Sequence, residues 1–335
     1  MGNKIKLDWI DIAKGIAILL VVMGHSFPDA AVEGGVKNVY LHFLHDVIYS
    51  FHMPLMFFIS GMLCGRILKL EDFSGRVGYV KDRAFRLLVP YFCVAIFYLP
   101  FKLALAQFAN KPYNIVDLWQ IFVGVNPDGG LWFLFVLFCA QAIMGLVITK
   151  ENLKHIIVAC LLIALLVIAT DIHFYKITSI PNALFFTVLG LMFSSSSHYG
   201  KEKMGVVPMI IMLILFGICV YIRVETQSQY FKLLSGFFGA FSVVGISKWL
   251  SSLKGKIIEF FKLLGQYTMD IYIFHGILMV VVRIAFYSIL KWDYYVCCLI
   301  MLLVGLLLPI FISKAIVRKV PILSTMFLGV RKRKE

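Results

Sequence analysis

Charged residues are scarce in this sequence. Asp, Glu, Lys and Arg make up 15% of its 335 residues, against about 25% in typical soluble domains, and only 18 residues are acidic. The chain is instead 61% hydrophobic, with 30 phenylalanines and a mean hydropathy of +0.91. This balance excludes an ordinary soluble domain, and it predicts an integral membrane protein.

Patterns for metal binding and disulfide formation are also missing. The seven cysteines fall in apolar stretches and none has the CxxC spacing of metal sites, so we expect them to serve in packing. The sequence shows no low-complexity tail and no repeat of about 20–50 residues. We therefore expect one integral membrane domain over residues 1–335, with the chemistry performed by the membrane helices and without a metal.

Ten apolar segments are candidates for membrane spans, since a helix needs roughly 20 apolar residues to cross a hydrocarbon core of about 30 Å. The predicted fold is thus an all-α polytopic bundle of about ten transmembrane helices. The expected spans are residues 8–27, 47–65, 86–108, 131–149, 156–170, 181–193, 206–222, 231–247, 267–290 and 294–315.

Lys and Arg divide unequally between the two sets of loops. With the N-terminus inside, one set carries 23 of these residues and the other carries six, namely Lys37, Lys111, Lys176, Arg223, Lys232 and Lys291. Short cationic loops are retained in the cytoplasm, so we expect both termini to be cytoplasmic and the protein to be a multi-pass protein of the inner (plasma) membrane. The net charge of +14 then reflects topology and contact with anionic membrane lipids, and nucleic-acid binding is not expected.

The first span, "WIDIAKGIAILLVVMGHSF", contains Asp11, Lys14 and His25. A centred Asp or Lys costs about 2.5 to 3.5 kcal/mol on insertion, whereas each Leu, Ile or Val returns about 0.3 to 0.6 kcal/mol. Such residues face a bundle interior or a wet cavity by default. We expect these three residues to do so.

Helical geometry places the three residues on one stripe. Lys14 and His25 are eleven residues apart, which returns to within about 20° of the same face and separates them by about 16 Å along the axis. With the N-terminus inside, Lys14 lies near the cytoplasm and His25 toward the outer side. Asp8 and Asp11 are expected to pair with Lys14 or with nearby arginines.

Two further histidines fall inside predicted spans. His52, in "SFHMPLMFFISGMLCGR", enters the second span at its outer end, at a depth similar to that of His25. Pro54 favours a kink there, and the Ser60–Gly61 pair permits close helix approach. In the ninth span, "LGQYTMDIYIFHGI" places His275 about one turn after Tyr272.

Two other features complete the candidate site. Arg83 and Arg86 stand three residues apart at the inner start of the third span, a spacing that can aim both at one phosphate surface. Cations in a cytoplasmic loop are expected there in any case. Trp132 begins the fourth span from outside. Aromatic residues are enriched at such membrane interfaces whether or not they have a function.

Five segments in order, "IDIAKGIAILLVVMGH", "FHMPLMFFISG", "RAFRLLVPY", "LWFLFVLF" and "LGQYTMDIYIFH", resemble the signatures of the acyltransferase-3 family of integral membrane acyltransferases, in particular its fucose 4-O-acetylase-like branch. The family has a basic residue and a histidine separated by ten residues in the first span, and Lys14 and His25 match that spacing. The basic residue is commonly arginine, so Lys14 departs from the common form, since lysine cannot bind phosphate in a bidentate manner.

The resemblance implies transfer of an acetyl or other short acyl group from cytoplasmic acyl-CoA to a hydroxyl of a cell-surface glycan or a lipid-linked sugar precursor. Acetyl-CoA would be the acyl donor. We expect His25 and His52 to be catalytic, with His25 as general base. Lys14, Arg83 and Arg86 would bind the phosphates of coenzyme A. The residues expected to contact the acceptor are Trp132, Tyr272, His275 and Ser60.

Alternatives remain open on the sequence alone. Intramembrane Asp11, Lys14 and His25 could serve a transporter or flippase as a relay. A non-catalytic sensor or scaffold would need none of them for chemistry. His42, His45 and Asp46 suggest a metal site, although an ordinary outer loop explains them more simply.

Overall fold

The computed structural model describes residues 7–28, 38–104, 114–196, 199–200 and 205–331. In these ranges the regular elements are all helical. The α-helices are α1 (Asp8–His25), α2 (Val39–Met62), α3 (Phe73–Ala104), α4 (Trp132–Val147), α5 (Leu153–Thr170), α6 (Ile180–Ser194), α7 (Val206–Thr226), α8 (Gln229–Ser251), α9 (Lys256–Gln266), α10 (Thr268–Val282), α11 (Tyr294–Ile312) and α12 (Pro321–Leu328).

Each of the ten predicted spans coincides with one of these helices, and α10 and α11 continue as π-helical turns over Arg283–Ile289 and Ser313–Val317. Within the described ranges, eight helices are long and apolar enough to cross a membrane. The other two predicted spans are α1, which carries Asp8, Asp11 and Lys14, and α4, which has 16 residues. The prediction of an all-α polytopic membrane protein is confirmed.

The helix bounds differ most from the predicted spans at the starts of two helices. α2 begins at Val39 rather than at residue 47, and α3 begins at Phe73 rather than at residue 86. The Asn38 side chain accepts hydrogen bonds from the first free amides of α2, so this start is set by a cap rather than by apolarity. Hydropathy detects only the apolar part of such a helix, and it therefore missed both extensions.

Two helices were not predicted at all. α9 has only 11 residues, and its sequence KIIEFFKLLGQ mixes apolar and charged positions at helical spacing. α12 has eight residues and packs against α3. Neither is long enough to cross a membrane, which is why a search for apolar runs of span length passes over them.

α1 lies in the centre of the bundle, where it packs against α2, α8, α9, α10 and α11. The contact with α9 is a close backbone approach: a Cβ on Gly15 would overlap the Phe261 carbonyl group, and one on Gly265 would overlap the Asp11 carbonyl group. Protein therefore replaces lipid around α1, and Asp11 is buried in the bundle interior, as expected.

Peripheral helices complete the bundle. α2 packs against α6 and α8, and Gly61 lies against the Thr187 carbonyl group of α6, so the close approach predicted at the Ser60–Gly61 pair is found. α5 and α7 expose most of their apolar surface. We call the end of the bundle at which α1 ends the His25 end, and the opposite end the Lys14 end.

Candidate functional site

Three histidines from three different helices meet in the bundle around one tyrosine. The His25 ring lies 5.5 Å from the His275 ring and 6.2 Å from the Tyr49 ring, measured between centroids. The Tyr49 ring lies 4.7 Å from that of His52. The three histidines predicted to lie within membrane spans thus converge. We call these four residues the histidine cluster.

His45 belongs beside this cluster, although it was assigned to an outer loop. It lies on α2, and its ring stacks on Tyr49 with centroids 4.0 Å apart. His45, Tyr49 and His52 follow one another at spacings of four and three residues, so they share one face of α2. That spacing could have revealed Tyr49 had the start of α2 been predicted correctly.

Backbone carbonyl groups fix the orientation of two of the imidazoles. Nδ1 of His52 lies 2.7 Å from the Ile48 oxygen, and Nδ1 of His275 lies 2.8 Å from the Tyr272 oxygen. Because a carbonyl oxygen only accepts hydrogen bonds, Nδ1 must be the donor in both rings. In their neutral forms, His52 and His275 therefore present an unprotonated Nε2 that can accept a proton or a hydrogen bond.

His25 differs from its two partners in accessibility. His52 and His275 are 4% and 3% exposed, whereas the His25 side chain is exposed even though its neighbours Gly24 and Ser26 are buried. Its Nδ1 lies 3.5 Å from the Tyr49 hydroxyl, a long hydrogen bond. His25 is therefore the member of the histidine cluster that a substrate can reach.

The histidine cluster lies within the depth of the bundle rather than at its outer edge. His52 is about 20 Å from the start of α2 at Val39 and about 15 Å from its end at Met62. α2 extends beyond His52 toward Val39 because it begins earlier than the apolar segment does, and the depth of His52 in the membrane remains a prediction. An acceptor approaching from the His25 end must reach into the bundle.

A loop that the sequence analysis missed covers one side of the histidine cluster. The Tyr272 hydroxyl donates to the Gly130 carbonyl oxygen at 2.5 Å, and Asn126 Nδ2 donates to the Tyr91 carbonyl oxygen at 3.1 Å. Asp128 lies in the loop between these two hydrogen bonds. A Cβ on Gly276 would be 2.7 Å from a carboxylate oxygen of Asp128. Gly276 directly follows His275 in the chain, so Asp128 is an acidic neighbour of the cluster.

The aromatic residues predicted to contact the acceptor lie along this loop. Tyr272 is buried, with its ring 6.0 Å from that of His275. Trp132 lies 6.3 Å from the Phe57 ring, and the Lys176 ammonium group lies 5.0 Å above the Trp132 ring. The roles of Tyr272 and Trp132 in binding an acceptor remain predictions.

At the Lys14 end, the predicted pair of Asp11 with Lys14 is found, whereas Asp8 pairs with Lys262 rather than with Lys14 or an arginine. Lys14 Nζ lies 2.7 Å from Asp11, and Lys262 of α9 lies 2.7 Å from Asp8. Lys14 keeps 24% exposure of its side chain, so the ion pair leaves part of the ammonium group accessible. Its role as a ligand for coenzyme A remains a prediction.

Arg83 and Arg86 lie on α3, near α12. The Arg83 guanidinium lies 5.2 Å from the Tyr79 ring centroid, and its Nε is buried without a hydrogen-bond partner in the part of the chain that the structure describes. Arg86 is exposed. Among the described contacts, none joins either arginine to Lys14, so their convergence on one ligand remains a prediction.

Ser60 and the cysteines have structural contacts of their own. The Ser60 carbonyl oxygen accepts from Cys64 Sγ at 3.2 Å, and the Ser60 side chain is half-buried on α2, so its predicted contact with an acceptor is untested by the geometry. All seven cysteines are free. Among the described residues, no group of three or more His, Cys, Asp or Glu side chains is placed to hold a metal ion.

The fold and the site define a multi-pass membrane protein with an accessible histidine held between buried ones. The chain belongs to the acyltransferase-3 family: the family's acyltransferase domain matches residues 7–311. It is therefore a membrane acyltransferase, a class of enzyme that requires an acyl donor as co-substrate. The resemblance seen in the five sequence motifs is confirmed.

Two curated relatives share the name nodulation protein NolL. The protein of Sinorhizobium fredii (strain NBRC 101917 / NGR234) is 33% identical over 128 residues, which cover 38% of this chain and 32% of that protein. The protein of Mesorhizobium japonicum (strain LMG 29417 / CECT 9101 / MAFF 303099) is 29% identical over 156 residues, which cover 46% of this chain and 39% of that protein. The matched regions thus span under half the length of these relatives. No solved structure matches the chain.

Proposed function

We propose that this protein is an O-acyltransferase that moves an acetyl or other short acyl group from cytoplasmic acyl-CoA to a hydroxyl of a cell-surface glycan or a lipid-linked sugar precursor, in the inner (plasma) membrane. The observation that carries the proposal is the accessible His25, surrounded within the bundle by His52, His275 and Tyr49. Membership of an acyltransferase family supplies the class of reaction.

His25 is the proposed general base. An imidazole with a pKa near neutrality takes the proton of a hydroxyl, typically worth about 10² to 10⁴ in rate. In the proposed step, the acceptor O–H proton moves to His25, and the oxygen forms a bond to the thioester carbonyl carbon. The C–S bond then breaks, and His25 returns the proton to the leaving thiolate, so the products are an ester and coenzyme A.

His52 and His275 support this step as neutral acceptors. Each donates its Nδ1 proton to a backbone carbonyl oxygen, so each can receive a hydrogen bond at Nε2 from the acceptor hydroxyl or from His25. We propose that His52 contacts the reacting hydroxyl and that His275 orients the acceptor together with Tyr272. Neither can stabilise an oxyanion from Nε2 while neutral, so those donors must come from other groups.

The donor is proposed to bind at the Lys14 end. Lys14 and His25 lie on one face of α1, about 16 Å apart along the axis. The extended arm of acyl-CoA, which links its phosphates to the thioester, can cover such a distance. Arg83, whose Nε is buried without a described partner, and the exposed Arg86 would donate hydrogen bonds to phosphate oxygens. Acetyl-CoA is the proposed donor.

The acceptor is proposed to enter from the His25 end, where Trp132 offers an aromatic face of the kind on which a sugar packs. Ser60, farther along α2 toward the Lys14 end, would contact the acyl-bearing end of the donor or the acceptor hydroxyl. A transporter or flippase would use the same buried polar residues without forming an ester.

The test is a comparison of His25→Ala with His155→Ala in a deletion strain, at equal membrane abundance. His155 is exposed at the start of α5, and no described contact joins it to the histidine cluster, which makes it a matched control. The measurement is the O-acetyl content of whole-cell glycans by NMR, before and after mild alkali. We expect wild type and His155→Ala to restore the acetyl groups. In His25→Ala the rate of acetyl transfer should fall by at least about 10²-fold, and the acetyl groups should not be restored.

Two outcomes contradict the proposal. Equal restoration by His25→Ala means that His25 is not the base. No acyl difference between the deletion strain and wild type, together with an altered flux of some substrate, favours the transporter or flippase.

A further inference from the structure

Basic residues are rare at the His25 end. In the predicted topology only six Lys and Arg residues lie in the loops of that side. Three of them, Lys176, Arg223 and Lys232, come from three separate parts of the chain: the loop before α6, the end of α7 and the first turn of α8. The two-residue connection between α7 and α8 keeps Arg223 near Lys232, and Lys176 packs against Gly124 and Trp132.

The approach of Lys232 to the cluster follows from the packing of α8 on α2. Gly236, one turn after Lys232, lies against Pro54, so that a Cβ on Gly236 would be 2.8 Å from the Pro54 ring. Pro54 is two residues from His52 in α2. Lys232 therefore lies on the face of α8 that meets α2 beside His52, and Arg223 and Lys176 are near enough to Lys232 to interact with it electrostatically.

Neither Lys232 nor Arg223 has a carboxylate partner among the described residues. The Lys232 ammonium group makes no described hydrogen bond or ion pair although it is half-buried. Arg223 donates from Nη1 to the Gln227 side chain at 2.7 Å, while its Nε is buried and has no partner in the described structure. Like charges held close together in partly desolvated positions repel each other and favour a bound anion.

Lys176 links these cations to Trp132, the residue proposed above to pack against a sugar. Its stem packs against Gly124, and its ammonium group lies 5.0 Å from the Trp132 ring. An acceptor that packs on Trp132 would thus place a neighbouring group near Lys176.

We propose that Lys232, Arg223 and Lys176 form a subsite for an anionic group of the acceptor, a phosphate or a carboxylate located beside the hydroxyl that is acylated. This inference rests on the proposed function, because it assigns the charge of the acceptor. It narrows the acceptor from any glycan to a phosphorylated, diphosphate-linked or acidic sugar.

The test measures binding without requiring turnover. The full-length protein is placed in phosphatidylcholine nanodiscs with coenzyme A present, and its thermal unfolding is followed against increasing inorganic diphosphate, glucuronate or glucose. We expect both anions, or one of them, to stabilise the wild type and glucose to do so more weakly. The response to each anion distinguishes a phosphate subsite from a carboxylate subsite.

Variants assign the effect to these residues. Lys232→Gln should raise the half-saturating concentration of the effective anion about tenfold or more, since a charge-assisted contact is lost. Lys232→Arg, which keeps the charge, should restore binding. Lys291→Gln removes another lysine of the same side, in the connection between the π-helical turn and α11, and should leave the titration unchanged.

The proposal is overturned if neither anion stabilises the wild type, or if Lys232→Gln and wild type titrate alike. It is also overturned if only nanodiscs containing phosphatidylglycerol give stabilisation that depends on Lys232, because the cations then bind lipid. The whole-cell O-acetyl measurement with His25→Ala tests the proposed function separately. Unchanged acetylation by His25→Ala together with an intact anion titration would refute the general-base mechanism and leave the anion subsite standing.

Discussion

Asp270 gives the sharpest prediction of stability in this fold. It is 1% exposed on α10, and Arg318 donates to it from Nε at 2.9 Å and from Nη2 at 2.6 Å. The Ser313 hydroxyl, in the π-helical turn that follows α11, donates to the same carboxylate. Asp270 thus ties α10, the helix that carries His275, to the end of α11.

The size of the effect follows from the unequal burial of the two partners. Breaking a fully buried ion pair costs about 3–5 kcal/mol, but Arg318 is 43% exposed and can turn toward solvent. We therefore expect Asp270→Asn to cost about 2–3 kcal/mol, chiefly from the charge-assisted hydrogen bonds that the buried position loses. In a chain of this size that corresponds to a fall of a few degrees in the unfolding temperature.

The assay is thermal unfolding of purified full-length protein in detergent. The quantity measured at each temperature is the fraction of the protein that remains monodisperse. Asp82→Asn is the matched control: Asp82 is 40% exposed and bridges Arg331 at 2.9 Å and Arg66 at 3.9 Å. Exposed pairs contribute about 0–1 kcal/mol. The double variant Asp270→Leu with Arg318→Leu should be more stable than Asp270→Asn, because no buried polar group is left unpaired. Equal losses from Asp270→Asn and Asp82→Asn would refute the reasoning.

Two further predictions concern packing around the site. Gly265→Ala should destabilise the protein by about 1–3 kcal/mol, because its Cβ would overlap the Asp11 carbonyl group. Gly217→Ala, with open space around it in α7, should be neutral or stabilising. Thermal unfolding of both variants checks this. Tyr272→Phe should raise the KM for the acceptor more than the KM for acetyl-CoA, because it removes the hydrogen bond to Gly130. The measurement is steady-state kinetics with each substrate varied in turn. An equal change in both KM values would contradict this prediction.

The similar depth expected of His25 and His52 followed from residue number alone, whereas their meeting with His275 was not predicted. Helices that cross one membrane in known directions place each residue at a calculable height, and the basic loops indicated those directions. Hydropathy also located every helix of span length. Both signals depend on local composition, which a single sequence contains.

Contacts between distant segments could not be predicted in this way. Asp128 and Gly130 lie in a loop whose position depends on the Tyr272 hydroxyl, and no local pattern links that loop to α10. The place of Tyr49 depended on where α2 begins, which Asn38 sets by capping rather than by hydropathy. The Lys14–Asp11 pair is the opposite case: helical spacing suffices to predict it, and the structure contains it.

The central position of α1 explains why its unfavourable composition can be tolerated. Asp11 and Lys14 together would cost several kcal/mol in lipid, but Asp11 is buried against α9 and paired with Lys14, so neither charge meets hydrocarbon. α9 approaches this closely only because both contact positions, Gly15 and Gly265, lack side chains. The same packing fixes the axis on which His25 stands. The contact that makes the charged helix stable in the membrane is therefore also the one that holds in place the helix carrying both Lys14 and His25.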